Sequence, residues 1–514
     1  MVNYSEIRKN AYFDSVTLML ISSKVEELEG VTGAAVMMGT DHNKNLMIRA
    51  GLLDESKARE CEKNDLVISV NAESDDIIER AKAVIEEQFS KDSLPEDGKD
   101  APVKSIDAAY AKLGGADMCV VSLPGRYAKR EAMKALRKGM HVLLFSDNVS
   151  VEEEIELKDY AVQHDLLMMG PDCGTAIIGG TALGFANVVR RGGIGVVAAA
   201  GTGLQEVSVI IDAEGSGISE AIGTGGRDVK EEVDGRMMLF ALDALENDPE
   251  TKVIGIVGKP PAESVLIKIK EKAARFSKPV VAVLIGADKG WNEGTNIIAE
   301  ETLELAALRM VSIDQSISFD NLTAKYEVSI PDQLIERLNK LKEGRRYLRG
   351  LYSGGTLCAE TQMLLSKAGI TVYSNIIHGD LELKNVEKSI DNTLLDMGDD
   401  YFTDGMPHPM IDPRMRNRRL AEEARNPDTA IILFDCVLGY GSHDDPAGSI
   451  ASVIRQLNLE LGDRGPVYIA SVCGTDKDFQ SKEVSVKKLE DAGVFVLKDN
   501  AGAAKLTAEV LRRI

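Results

Sequence analysis

The chain predicts an α/β protein in which several doubly wound parallel-sheet domains follow a small α+β module, and three observations carry that prediction. From residue 101 onward, short and almost continuously apolar runs alternate with helical segments, the pattern of parallel strands covered by helices on both faces. One layout occurs twice: an apolar strand runs into a Gly-Thr turn and a helix, and a second strand then runs into another Gly-rich or Pro-rich helix start. The length of 514 residues exceeds what one core organises and implies three or four compact units.

Residues 1–90 read as the small module. Helical spacing over 15–29, short strands at 33–38 and 65–70, and an amphipathic helix with an acidic start over 75–89 suggest a ferredoxin-like or ACT-like unit. A polar stretch at 90–100, carrying Pro and Gly without periodicity, reads as a linker. Residues 101–185 then give strands at 117–123, 141–145 and 166–169, with helices at 127–138 and 151–163, the later part of a Rossmann-like domain. Residues 190–310 form the first copy of the repeated layout, 311–345 a connector, and 346–514 the second copy. The second copy carries a long insertion over 376–426, and loops of that length in compact domains are often functional.

The formal net charge of −22 argues against nucleic acid or an anionic membrane as partner, since both need clustered Lys and Arg. No uninterrupted apolar stretch of spanning length occurs, and the first residues lack a charged-then-apolar signal pattern. A cytoplasmic protein is expected. Six cysteines without C-x-x-C spacing read as reduced thiols, and no structural metal is expected.

The candidate chemistry begins at the turns. Gly201, Thr202 and Gly203 in the first copy, and Gly354, Gly355 and Thr356 in the second, follow apolar strands and open helices. Free N–H groups and the positive dipole end favour phosphate or carboxylate there, although any doubly wound domain also needs glycine where strand meets helix. The second helix starts bring Gly258 and Lys259 before two prolines, and Gly439, Gly441 and Ser442 before His443. His443 is a candidate general acid or base; the alternative is an ordinary helix cap supplied by Asp444 or Asp445. Asp396, Asp399, Asp400 and Asp404 could hold Mg²⁺ through oxygen ligands, or form a solvated loop. No G-x-S-x-G elbow, P-loop or H-E-x-x-H helix is present.

Set in order, these segments resemble a known family. Pro102-Val103-Lys104-Ser105-Ile106, Gly115-Ala116-Asp117, Gly170-Pro171-Asp172-Cys173-Gly174 and Gly193-Ile194-Gly195-Val196-Val197 with its Gly201-Thr202 turn resemble the α subunit of succinyl-CoA synthetase and related NDP-forming acyl-CoA synthetases. Residues 346–514 resemble the ligase domain at the C-terminus of the β subunit. With the opening Tyr4-Ser5-Glu6-Ile7-Arg8-Lys9-Asn10-Ala11-Tyr12-Phe13-Asp14, the whole resembles the FdrA proteins. The resemblance implies a CoA-binding-type Rossmann domain, two flavodoxin-like synthetase domains, a substrate region at Asp172 and Cys173, and a phosphate site between the two halves.

The departures bear on mechanism. The synthetases carry phosphate on a histidine in a Gly-His-Ala-Gly loop, whereas the matching stretch here, Gly286-Ala287-Asp288-Lys289-Gly290-Trp291-Asn292-Glu293-Gly294-Thr295, has none. Their supporting glutamate falls at Val257 or Gly258. The ATP-grasp domain is missing, and the small module stands where the Gly-rich CoA-receiving unit would be.

The resemblance therefore implies a subunit that moves a carbamoyl or acyl group from a phosphate anhydride to a small carboxylate, as in carbamoyl transfer to oxamate during ureide, allantoin and purine breakdown. Carbamoyl phosphate or an acyl phosphate, other subunits in a hetero-oligomer, and CoA or Mg²⁺ as possible cofactors belong to that expectation. The alternatives are an acyl-CoA synthetase subunit whose ATP part sits on another chain, and a regulatory scaffold.

Overall fold

The computed structural model describes residues 2–9, 11, 15–26, 28, 30–93, 103–341, 343–377, 379–403 and 406–514. Residues 94–100 of the expected linker, Ala101 and Pro102, Asp404, and Asn10, Tyr12, Phe13 and Asp14 of the opening motif lie outside the described residues. Two compact units form, Met1–Ser105 and Ile106–Ile514.

In the first unit, strands β1 (Val2–Arg8), β2 (Val31–Met38) and β3 (Leu66–Ala72) make an antiparallel sheet in the order β1-β3-β2. Alternation along β3 explains its two-sided burial. Leu66, Ile68 and Val70 pack with Ile21, Val25, Ile78 and Ile85, while Val67 packs on the other face with Met47, Leu53 and Ala58. The last helix, Asp75–Ser93, runs four residues beyond the expected 89 and takes up the start of the linker. Strand β1 and the two short helices between β2 and β3 were not foreseen; their weak periodicity hides them.

Among the described residues the second unit holds three sheets. Strands β4 (Met118–Val121), β5 (His141–Leu144) and β6 (Met168–Met169) are parallel, with helices Gly125–Arg137 and Val151–Gln163 between them. Strands β7 (Thr175–Ile178), β8 (Thr181–Gly184), β9 (Arg191–Ala198), β10 (Ile218–Gly223), β11 (Val253–Gly258), β12 (Val280–Leu284) and β13 (Ile297–Glu300) form a sheet in the order β13-β12-β11-β9-β10-β7-β8. The β7–β8 hairpin, which the sequence groups with residues 101–185, pairs with β10 and so belongs to this second sheet.

Strands β14 (Tyr347–Tyr352), β15 (Tyr373–Ser374), β16 (Thr393–Asp396), β17 (Thr429–Val437), β18 (Val467–Cys473) and β19 (Val494–Leu497) are all parallel, in the order β15-β16-β14-β17-β18-β19.

The repeat is visible in these orders. β10-β9-β11-β12-β13 and β16-β14-β17-β18-β19 follow the same doubly wound scheme, whose order reverses between β9 and β11 and between β14 and β17. Crevices outside the carboxyl ends of strands at such switch points are where open α/β sheets bind ligands. Helices Gly201–Ala213, Leu303–Gln315, Gly355–Lys367 and Asn500–Leu511 pack together, and one apolar core runs through both copies, from Ile194, Leu204 and Met310 to Leu357, Ile431 and Leu506. This shared layer sets the two Gly-Thr turns in fixed register.

Candidate functional site

The two turns meet. A methyl group on Gly354 would lie 2.9 Å from Thr202 Oγ1, and one on Gly203 would lie 2.9 Å from Thr356 Cγ2. Each threonine thus occupies the space that glycine leaves in the opposite turn, and a Cβ at either glycine would push the halves apart. The helices Gly201–Ala213 and Gly355–Lys367 start at Ala200 and Gly354, neither of which supplies a side-chain cap. Their first internal bonds are Leu204 N–H to Ala200 O and Cys358 N–H to Gly354 O. The N–H groups of Gly201, Thr202, Gly203, Gly355, Thr356 and Leu357 therefore have no partner among the described residues. Two positive helix ends with free donors face one region, which favours an anion.

A buried ion pair holds the second turn. Asp435, in β17, accepts hydrogen bonds from Ser353 N–H and Gly354 N–H at 2.8 Å and from Ser353 O–H at 2.9 Å. Arg416, in the helix Arg414–Arg425 of the insertion, donates Nη1–H to the same carboxylate at 2.8 Å. Both residues are buried. Asp435 consumes the donors just before the helix and leaves those of its first turn open.

Three side chains border this region. Asp396 ends β16, is half-buried, and accepts Gly398 N–H at 3.0 Å through Oδ1, while Oδ2 lies against Gly355 and makes no hydrogen bond among the described residues. Burial, with Asp399 and Asp435 nearby and only partly countered by Lys259, lifts its pKa to about 7. His408 comes from the insertion; a methyl on Gly398 would lie 2.6 Å from its Nε2, 2.9 Å from Ser353 O and 3.3 Å from Asp396 Oδ1. Burial, helped by the Arg416 charge, holds the His408 pKa down at about 4. Met410 N–H donates to Nδ1 at 3.2 Å, which assigns the proton of this neutral ring to Nε2. Lys259, just beyond Gly258 at the end of β11, is exposed and near enough for its charge to act on Asp396.

The other expected residues fall elsewhere. The loop of Gly439, Gly441 and Ser442 packs on Phe185, Ala186 and Asn187, and the Phe185 ring lies 5.6 Å from that of His408. His443 Nδ1 accepts Asp445 N–H at 3.0 Å, and Asp445 caps the helix Pro446–Leu461 by accepting Gly448 N–H at 2.8 Å. Asp445 thus supplies the helix cap that the sequence offered as the alternative, and His443 stands beside it with Nδ1 engaged by Asp445 N–H. Its helix start, unlike those at Gly201 and Gly355, is closed by its own side chain.

Asp396, Asp399 and Asp400 do not form a magnesium ligand set. Asp396 Oδ2 lies against Gly355, Asp399 Oδ1 accepts Tyr401 N–H at 3.1 Å, and Asp400 is near enough to Asp172 for its charge to act there. Among the described residues no group of three or more His, Cys, Asp or Glu could hold a metal. Asp172 is solvent-accessible yet recessed, and this recess, with Asp147 and Asp400 close by, lifts its pKa to about 6. Cys173 is fully buried, its thiol pushed up to about 12, and offers no nucleophile. The sequence reading missed His408, Asp435 and Arg416. An acid inside a nine-residue apolar strand was the available signal for Asp435.

Residues 351–510 match the family model described as CoA-ligase, and residues 1–104 that described as AllF, heavy metal-associated domain. The uncharacterized protein YahF of Escherichia coli (strain K12) is 42% identical over 522 residues, covering 98% of this chain and 98% of YahF. The ADP-forming sulfoacetate-CoA ligase subunit SqwL of Acholeplasma sp is 27% identical over 194 residues, 35% of this chain and 62% of that subunit. The alpha subunit of the ADP-forming succinate–CoA ligase of Aquifex aeolicus (strain VF5) is 27% identical over 196 residues, 36% of this chain and 61% of that subunit.

Among the described residues neither a heavy-metal site nor a CoA-receiving turn is built. Heavy metal ions take soft thiolate ligands, whereas the first unit has one cysteine, Cys61, which is buried and whose thiol is raised by that burial. Among the described residues of the second unit no strand precedes β4, so no glycine-rich strand-to-helix turn stands there to receive CoA. Among the described residues no helix is long and apolar enough to cross a membrane. With near full-length identity to YahF, an AllF-type N-terminal unit and a CoA-ligase domain over the second copy, the chain belongs to the FdrA-like family of proteins related to acyl-CoA synthetases.

Proposed function

We propose that this chain is the subunit of a transferase that binds a phosphate anhydride at the two facing helix starts and passes its carbamoyl or acyl group to a small carboxylate, with oxamate as the acceptor to test first. The observation that carries the reading is the convergence of six N–H groups that have no partner among the described residues, together with the lack of a histidine at residues 286–295. His408, the imidazole bordering the site, holds its proton on Nε2 and is a donor rather than a nucleophile. Free N–H groups would stabilise the charge that develops on the departing phosphate, and Lys259 adds a cation at the rim. Fixed register of the two copies would supply orientation. Other chains complete the enzyme, and a cytoplasmic setting goes with this reading.

A second reading is a ligase subunit whose ATP-using part sits on another polypeptide. The matches to ADP-forming sulfoacetate and succinate ligase subunits favour it. One experiment separates the two: the protein, alone and with its partner chains, is incubated with carbamoyl phosphate and oxamate, and separately with labelled ATP. Oxamate-dependent release of phosphate with no stable phosphoprotein supports transfer. A phosphoprotein, or ADP formation that requires CoA, refutes it and supports the ligase.

A further inference from the structure

Resting on the transfer reading, we propose that Asp396 is a catalytic residue that gives its carboxyl proton to the phosphate oxygen leaving the carbonyl carbon and takes up the proton shed by the attacking nitrogen. The geometry comes first. The carboxyl lies against Gly355, the first residue of an uncapped helix whose dipole and N–H groups favour phosphate, and Oδ2 has no protein partner among the described residues. Oδ1 is fixed by Gly398 N–H, which aims the free oxygen at the helix start.

An acid is needed at that position. When a nitrogen attacks the carbonyl of a dianionic anhydride, the C–N bond forms, the C–O bond breaks and its electron pair stays on the phosphate oxygen. Without a proton that oxygen would depart as the trianion. Asp396 supplies the proton, the acceptor nitrogen loses one, and the carboxyl is restored, so the step balances without any other reactant.

The surroundings keep a substantial part of this acid protonated near neutrality. Asp399 on its own loop and Asp435 on β17 raise it, the Cys358 thiol lies on the adjoining helix, and Lys259 beyond β11 lowers it. His408 and, behind it, Arg416 close the insertion side. Charge-free donors, the carboxyl O–H and the His408 Nε2–H, can meet an anion without repelling it. A titration near 7 is also where a general acid works best at neutral pH.

Two measurements test this. Sulfate, whose charge is constant between pH 5.5 and 8.5, is titrated calorimetrically into the full chain and into Asp396→Asn. The wild-type affinity is expected to fall toward tenfold per pH unit above about 7, and the variant to bind with a flatter profile. Asp172, at about 6, contributes equally to both proteins. An identical pH dependence in the two overturns the placement.

The assembled enzyme is then assayed with carbamoyl phosphate and oxamate. Asp396→Asn should lower kcat by about 10²- to 10⁴-fold and abolish the fall in kcat above pH 7. Turnover within tenfold of wild type overturns the acid role. If Asp396→Asn does not fold, the wild-type titration alone decides the placement, and a wild-type kcat that does not fall above pH 7 overturns the acid role. If wild type shows no transfer, the transfer reading and the acid role fall together, and the sulfate result still shows whether the proton is tied to the anion.

Discussion

The closeness of the two Gly-Thr turns can be weighed by exchanging one methyl group across the contact. In Gly203→Ala the new methyl would lie 2.9 Å from Thr356 Cγ2 and 3.1 Å from Val257 Cγ1, against about 3.5–4.0 Å for carbon atoms at rest. Overpacking of this kind costs about 1–3 kcal/mol, offset by the roughly 0.5–1 kcal/mol that Ala gains over Gly within a helix; the net expectation is a loss of about 1–2 kcal/mol. Thr356→Ser removes the opposing methyl, a loss of about 0.8 kcal/mol for one buried carbon. In the double variant the methyl has changed sides, so its stability should return to within about 1 kcal/mol of wild type, a coupling of about 1–2 kcal/mol. Urea denaturation of the four proteins reads this directly. Additive losses, summing to about 2–3 kcal/mol in the double variant, would refute the claim that the two copies present their helix starts to one shared region.

Two further outcomes follow from buried charge. Asp435→Ala leaves Arg416 buried without its carboxylate and should cost about 3–5 kcal/mol, whereas the paired Asp435→Leu with Arg416→Met should cost less than Asp435→Ala alone; the reverse order by denaturation would sink the assignment. Glu360 is fully buried between the copies, accepts Leu303 N–H at 2.7 Å and Asn500 Nδ2–H at 2.8 Å, and burial raises its pKa to about 8. Its unfolded value is near 4.5, so between about 4.5 and 8 the folded chain binds the extra proton and stability falls as pH rises, by up to ~1.4 kcal/mol per unit from this group. Above about 8 the slope ends. Glu360→Gln should flatten that slope in urea midpoints taken at pH 5, 6.5 and 8; an unchanged slope would show that the proton sits on another group.

What the sequence makes legible here is what the backbone demands. Strand runs and the duplicated glycine turns are written in local periodicity, and duplication itself hints that Gly201 and Gly354 serve one place. What stays hidden is tertiary. Asp396 closes the strand Thr393-Leu394-Leu395, yet it opens a polar string, and only folding sets its Oδ2 against Gly355 while Asp399 binds the local Tyr401 N–H. His408 sits between two prolines in a long insertion, and its meaning comes from Gly398 allowing its ring close. The His443 motif is informative about local structure alone, because a polar residue beside a helix start most often spends its hydrogen bonds on that helix.

The donors that border the facing helix starts share one property that bears on mechanism. A histidine shuttle needs an imidazole nitrogen with a free lone pair, and His408, the histidine bordering this region among the described residues, has spent Nδ1 on Met410 N–H and keeps a proton on Nε2. Asp396 near its own midpoint at neutral pH, an uncharged N–H at His408 and six backbone N–H groups form a set that can hold and polarise an anion. Such a set suits a substrate that arrives already activated. Under the transfer proposal, the missing histidine at residues 286–295 and the protonated Nε2 of His408 would have one cause, since direct transfer needs acids around the departing phosphate and no phosphate carrier.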